Sequence, residues 1–174
     1  MIGQLFINLA LLIPLAVVIT YYDVRYRRIP NIFVLCALIS GLAANAAVSG
    51  WSGVRASIVG CLFAFGLMLL LHIFGALGAG DVKLFAAIGA VIGAHMVLPT
   101  FMVVVLTGGV LAILTTLRVG NVRETAARVG YIFYSVFFNW QVPRFVLPAD
   151  KSHTIPYGVA ITLGSLISLA IFRA

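Results

Sequence analysis

Asp23 and Asp81 are two of only four acidic residues in a chain of 174. The first stands in "YYDVRYRRIPN", directly after an apolar run, and the second in "GALGAGDVKLFAAIGA", directly before another. Ionisable side chains at membrane depth are costly and by default mark function. Two carboxyl groups held close together cannot both ionise easily, so they share a proton. One then acts as general base on a water, while the other, protonated, polarises a scissile carbonyl. That chemistry needs neither a metal nor a covalent nucleophile, and no cofactor is expected. Each residue also has a purely structural reading. Asp23 could pair with Arg25 or Arg27 at the lipid headgroups, and Asp81 could be the N-cap of a helix. Lys83 reads as a snorkelling interfacial lysine. Gly78 and Gly80 read as loop glycines, or as backbone that lets a bound peptide come close.

The elements that must carry these residues follow from composition. The chain is 63% hydrophobic and 9% charged, with a mean hydropathy of +1.19. Soluble domains are about half apolar and a quarter charged. A polytopic membrane protein in the lipid bilayer is therefore expected, forming a single membrane-embedded domain over residues 1–174. The first apolar run has no Lys or Arg before Arg25 and ends in "TYYDVRYRR", so it reads as a retained helix and not as a cleaved signal. A net charge of +7 in a soluble protein would suggest nucleic acid. Here it marks cytoplasmic loops, and no nucleic-acid partner is expected. Cys36 and Cys61 lie inside apolar runs with no CxxC pair and read as packing residues.

A span needs about 20 apolar residues. Runs over Leu5–Tyr21, Ile32–Val48, Val54–Leu77 and Tyr157–Phe172 qualify or come close, with a turn in "SGWSG" between the second and third. Leu84–Leu117 would be about 51 Å long as one helix against a hydrocarbon core of about 30 Å. It reads as a hairpin turning near His95–Pro99. With that hairpin, nine basic residues (Arg25, Arg27, Arg28, Lys83, Arg118, Arg123, Arg128, Arg144, Lys151) lie inside and two (Arg55, Arg173) outside. As a single span the split becomes five against six, so the positive-inside rule favours the hairpin. The expected fold is all-α: a bundle of about six transmembrane helices, N-terminus extracytoplasmic, with both aspartates at the cytoplasmic edge. Aromatic-rich Tyr131–Leu147, flanked by Arg128 and Arg144, reads as an interfacial helix, though the charge count also permits a full span.

Other polar residues carry less. His72, His95 and His153 have no metal-ligand spacing. Glu124 reads as a solvated charge and Asp150 as an ion-pair partner of Lys151. Pro30 and Asn31 suit a turn into the second helix.

These motifs resemble the prepilin peptidases, membrane aspartyl proteases of the GxGD class. The resemblance rests on Asp23 within "DVRYRRIPN", like the family's D-x-R-x-R-R-I-P-N. It rests also on "GAGDVKLFAAIGAVIG", like G-x-G-D-x-K-L with further helix glycines at Gly89 and Gly93. "IPYG" (Ile155–Gly158) is a weaker third match. The resemblance implies an endopeptidase of the cytoplasmic (inner) membrane that removes short basic leaders from prepilins or pseudopilins at the cytoplasmic face. Asp23 and Asp81 would be catalytic. Gly78, Gly80, Lys83, Arg27, Pro30, Asn31, Pro156 and Gly158 would support the site or the substrate, and Arg28 could also contact the substrate. Larger members carry a four-cysteine zinc segment and N-methylate the new N-terminus. With two cysteines this chain resembles instead the short, peptidase-only forms of tight-adherence (Flp-type) pili and archaeal preflagellin peptidases, so N-methylation is not expected. Presenilin-like GxGD proteases are related in mechanism but carry a PAL motif that does not occur here. Two other classes stay open: a small transporter or channel subunit binding cations through the aspartates, and a catalytically silent pilus-assembly factor.

Overall fold

The computed structural model describes residues 2–73, 77–119 and 157–172. They form helices α1 (Ile2–Tyr26), α2 (Asn31–Ile73), α3 (Ala79–Ile92), α4 (Ala94–Val119) and α5 (Tyr157–Phe172). Among the described residues the fold is all-helical, as composition predicts. Three helices, α1, α2 and α4, are long and apolar enough to cross a membrane, and α5 is a shorter apolar helix. The aromatic segment Tyr131–Leu147 and the residues Pro156, Glu124, Asp150, Lys151 and His153 lie outside the described residues.

α2 is not one rod. At 43 residues it would extend about 65 Å, twice the hydrocarbon thickness. Gly50 breaks it at φ 56°, ψ −135°, a conformation that side chains rarely adopt. Asn45 Nδ2 then donates to Ser57 Oγ at 2.8 Å. Residues so spaced along one helix would be about 18 Å apart. The chain therefore reverses at Gly50, within the expected "SGWSG" turn, and α2 supplies two antiparallel legs, 31–49 and 51–73.

A second reversal separates α3 from α4. Phe85 and Phe101 have ring centroids 6.1 Å apart, whereas one continuous helix would separate them by about 24 Å. The hairpin inferred from loop charges is present, but its pivot is Gly93 and not His95–Pro99. Gly93 takes φ 75° and its carbonyl accepts from Met96 N–H at 3.2 Å. Pro99 stays inside α4. A glycine reverses the chain without steric cost, whereas proline only removes one backbone donor. Six helical legs result among the described residues.

α3 is the centre of the bundle, with every residue from Leu84 to Ile92 buried. A helix apolar on all sides must be surrounded, and small residues let its neighbours close in. A Cβ built at Gly89 would stand 2.5 Å from the Gly60 carbonyl oxygen and 2.6 Å from Ala64 Cβ, so the second leg of α2 packs backbone to backbone on α3.

Breaking the helix at Gly93 inside apolar surroundings frees the last carbonyls of α3, which must find donors. Asn45 and Ser57 provide them. Asn45 Nδ2 lies 3.0 Å from the Ala90 carbonyl and 3.1 Å from that of Val91, and Ser57 Oγ donates to Ala90 at 2.8 Å. Gln4 of α1 completes the cluster by donating to Asn45 Oδ1 at 2.7 Å. Asn45→Leu should therefore destabilise the bundle by about 1–3 kcal/mol, the cost of orphaned buried acceptors. Thermal unfolding in detergent reads this directly, and an unchanged melting temperature would mean that water replaces the amide.

Candidate functional site

Three helix termini converge where the two aspartates lie. α1 ends just past Asp23. The Asp23 carbonyl accepts from Arg27 N–H at 3.1 Å, and Arg27 turns out of the helix at φ 52°. The turn is braced by aromatic rings, Tyr22 against Phe33 of α2 at 5.5 Å and against Tyr26 at 5.6 Å. This brace folds the loop between α1 and α2 over the start of α3. Ile29 Cβ comes within 3.5 Å of where a Cβ on Gly80 would stand. The "RRIPN" and "GAGD" segments, far apart in sequence, thus touch.

Asp81 sits in the first turn of α3, but not at the cap. The N-cap is Gly78, and Asp81 is the third helical residue. Its Oδ2 reaches back to accept from Gly78 N–H at 3.0 Å. The N-cap reading of Asp81 is corrected by three positions, and for a physical reason. A glycine cap has no side chain to offer, so the acidic residue one turn on satisfies the exposed N–H instead. Just before, the Leu77 carbonyl lies 2.7 Å from His72 Nδ1.

The N-terminus of α5 closes the site. Val159 N–H donates to Asp23 Oδ2 at 3.3 Å. Gly158 allows this approach, because a Cβ there would lie 2.9 Å from Asp23 Oδ2 and 3.1 Å from Ile19 Cγ2. A carboxylate at a helix N-terminus meets unpaired N–H groups and the positive end of the helix dipole. Asp23 and Asp81 are both buried, 7% and 9% exposed. Asp81 lies within electrostatic reach of Asp23 and of His72, and the Tyr157 hydroxyl lies within reach of Asp81.

The structure thus brings Asp23, Asp81, Gly78, Gly80 and Gly158 together. Arg27 is exposed but its charge acts on Asp23, so the ion-pair reading of that aspartate retains a part. Arg28 and Asn31 are exposed, and Pro30 is half-buried in the loop. Lys83 is exposed and stands about 200° around α3 from Asp81, which turns it away from the carboxylates. Tyr157 and His72 are neighbours of the pair that their local sequence context did not single out as such. His72 had only the signal of a polar residue near the end of an apolar run. Among the described residues no group of three or more His, Cys, Asp and Glu gathers in a ligating cluster.

Two buried carboxyl groups on converging helix ends thus lie within a helical bundle of membrane-protein type. The chain belongs to the type IV leader peptidase family, which it matches over residues 10–113. That stretch holds both aspartates and ends before α5. The chain is also similar to the prepilin leader peptidase/N-methyltransferase of Bacillus subtilis (strain 168), with 34% identity over 109 residues. The alignment covers 59% of this chain and 43% of the relative, so the chain spans less than half the length of the curated relative it matches. No solved structure matches it.

Proposed function

We propose that this protein is a multi-pass aspartyl endopeptidase of the cytoplasmic membrane that removes the N-terminal leader from prepilins or pseudopilins. The whole chain, 1–174, is read as one membrane-embedded peptidase domain, with its N-terminus extracytoplasmic and its active site at the cytoplasmic face. The observation that carries this reading is the meeting of Asp23 and Asp81, buried and each held by a backbone N–H at a helix start. Membership of the leader peptidase family gives the pair its substrate class.

In this mechanism Asp23 and Asp81 share one proton. The ionised member takes a proton from water, and the water oxygen attacks the scissile carbonyl. The protonated member donates its hydrogen bond to that carbonyl oxygen as charge develops there. Collapse of the tetrahedral intermediate breaks the C–N bond, and the amine of the mature pilin leaves with a proton from the pair. The N–H groups of Gly78 and Val159 hold the two carboxylates in place, so geometry is set before substrate arrives. No metal and no cofactor enters. Gly80, Pro30 and Asn31 shape the loop over α3, with Pro156 preceding α5. Arg27 and Lys83 offer positive charge at the cytoplasmic rim.

Co-expression with a tagged pilin precursor tests this reading. The protein should shorten the precursor by its leader. With purified protein, the cleavage rate should be bell-shaped in pH, falling where the pair is doubly protonated and again where it is doubly ionised. Failure to shorten any precursor, or a rate that rises monotonically with pH, would remove the shared-proton mechanism. The alternative of a cation-binding transporter subunit would then be tested by ion binding.

A further inference from the structure

A cavity of about 190 Å³ lies where the second leg of α2, α4 and α5 diverge, lined by apolar side chains such as Met68, Val105 and Ile161. α4 presents two adjacent glycines to it, Gly108 and Gly109. Packing within the described residues does not require them. A Cβ at Gly109 would meet nothing within 4 Å, and one at Gly108 would make only ordinary contacts of 3.8 Å with Tyr157 and Ala160. The empty volume is what their smallness leaves. An apolar cavity of about 150 Å³ already holds a benzene-sized group, so this one has room for a bulky apolar side chain.

The cavity is lined by the immediate chain neighbours of residues that hold the aspartate pair. Tyr157 lines it, and the next residue, Gly158, lies against Asp23 Oδ2. Leu77 also lines it, and the next residue, Gly78, donates to Asp81. From Val104 to Ala112 the lining runs about two turns, roughly 12 Å, along α4. A peptide bond held at the carboxylates would therefore have an apolar slot beside it on the membrane-spanning part of α4.

We infer that this cavity receives the first apolar residues of the substrate's own transmembrane segment, immediately after the scissile bond, with Gly109 setting the size it accepts. The inference rests on the peptidase reading above and names the substrate subsite of that same site. A peptide occupant carries its scissile amide to the carboxylates, whereas an acyl chain would bring them only hydrocarbon.

The test compares two substrates in detergent micelles: a full precursor with its transmembrane segment, and a short peptide spanning the cleavage site but ending before the apolar residues. Gly109→Leu should lower kcat/KM on the full precursor about tenfold more than on the short peptide, chiefly through KM. Val110→Phe, one residue on and outside the cavity lining, should leave that ratio at the wild-type value. A photo-crosslinking residue in place of Val105 should attach to the precursor's apolar segment. If wild type cuts neither substrate, the peptidase reading fails and this one with it. If wild type cuts both and Gly109→Leu keeps the wild-type ratio, the subsite alone is overturned. Crosslinking from position 105 only to lipid or within the chain itself also overturns it.

Discussion

Asp23→Asn and Asp81→Asn should each lower leader cleavage by about 10³-fold or more, as removal of a member of a catalytic unit does. Asparagine keeps the shape of each side chain and its carbonyl oxygen. It can still accept from Gly78 N–H or Val159 N–H, so the bonds that tie α3 and α5 to the site are retained. What is lost is the shared proton. Each variant should therefore insert and melt like wild type while processing nothing. Cleavage of a tagged precursor, read beside thermal unfolding of the purified variants, separates the two. Normal processing by either variant would show that its aspartate is structural. For Asp81 that would mean serving the first turn of α3, and for Asp23 binding the start of α5.

Gly158→Ala should lower kcat by about 10²-fold, the scale of a misplacement near 1 Å at a reacting group. The added Cβ would stand 2.9 Å from Asp23 Oδ2. The atom it meets is the end of a side chain and not backbone, so the carboxylate gives way and the helices stay. The signature is a fall in kcat with little change in melting temperature or KM. The same Cβ would stand 3.1 Å from Ile19 Cγ2, another side-chain end that a small shift relieves, whereas a larger group at 158 would lose stability as well. Unchanged kcat in Gly158→Ala would place the working position of Asp23 away from α5.

Much of this arrangement is legible in the sequence because charge is so scarce in it. With four acidic residues in 174, an aspartate at each of two span boundaries stands out. Counting basic residues by loop is enough to fold Leu84–Leu117 into a hairpin. The turn at Gly50 is marked by its polar neighbours. The pivot of the hairpin is not marked, because Pro99 is the conspicuous breaker while Gly93 reads as one of the motif's helix glycines, and only backbone geometry puts the turn there. The position of Asp81 as the third residue of α3 is similarly hidden, since Gly78 and Asp81 both qualify as helix-start residues by type.

Long-range contacts are hardest to see. Nothing near Asn45 announces that it caps the broken end of α3, because its partners Ala90 and Val91 offer only backbone carbonyls. Gly158 gives no local sign that it touches Asp23, a contact made by a missing side chain across most of the chain's length. The family match also ends at residue 113, short of α5. The closure of the site by Val159 N–H is thus a feature of the three-dimensional arrangement.

In the proposed mechanism Asp23 and Asp81 grip the same reacting atoms. This is tested most directly with a peptide of the precursor's cleavage site in which a hydroxyl-bearing carbon replaces the scissile carbonyl. Such an analogue imitates the tetrahedral intermediate and places one hydroxyl between the two carboxyl groups. Its affinity would be measured for wild type, Asp23→Asn and Asp81→Asn. Tight binding to wild type and a loss of about 10²-fold or more in both variants are expected. Wild-type affinity in either one would contradict the mechanism, because that aspartate would then not touch the reacting centre.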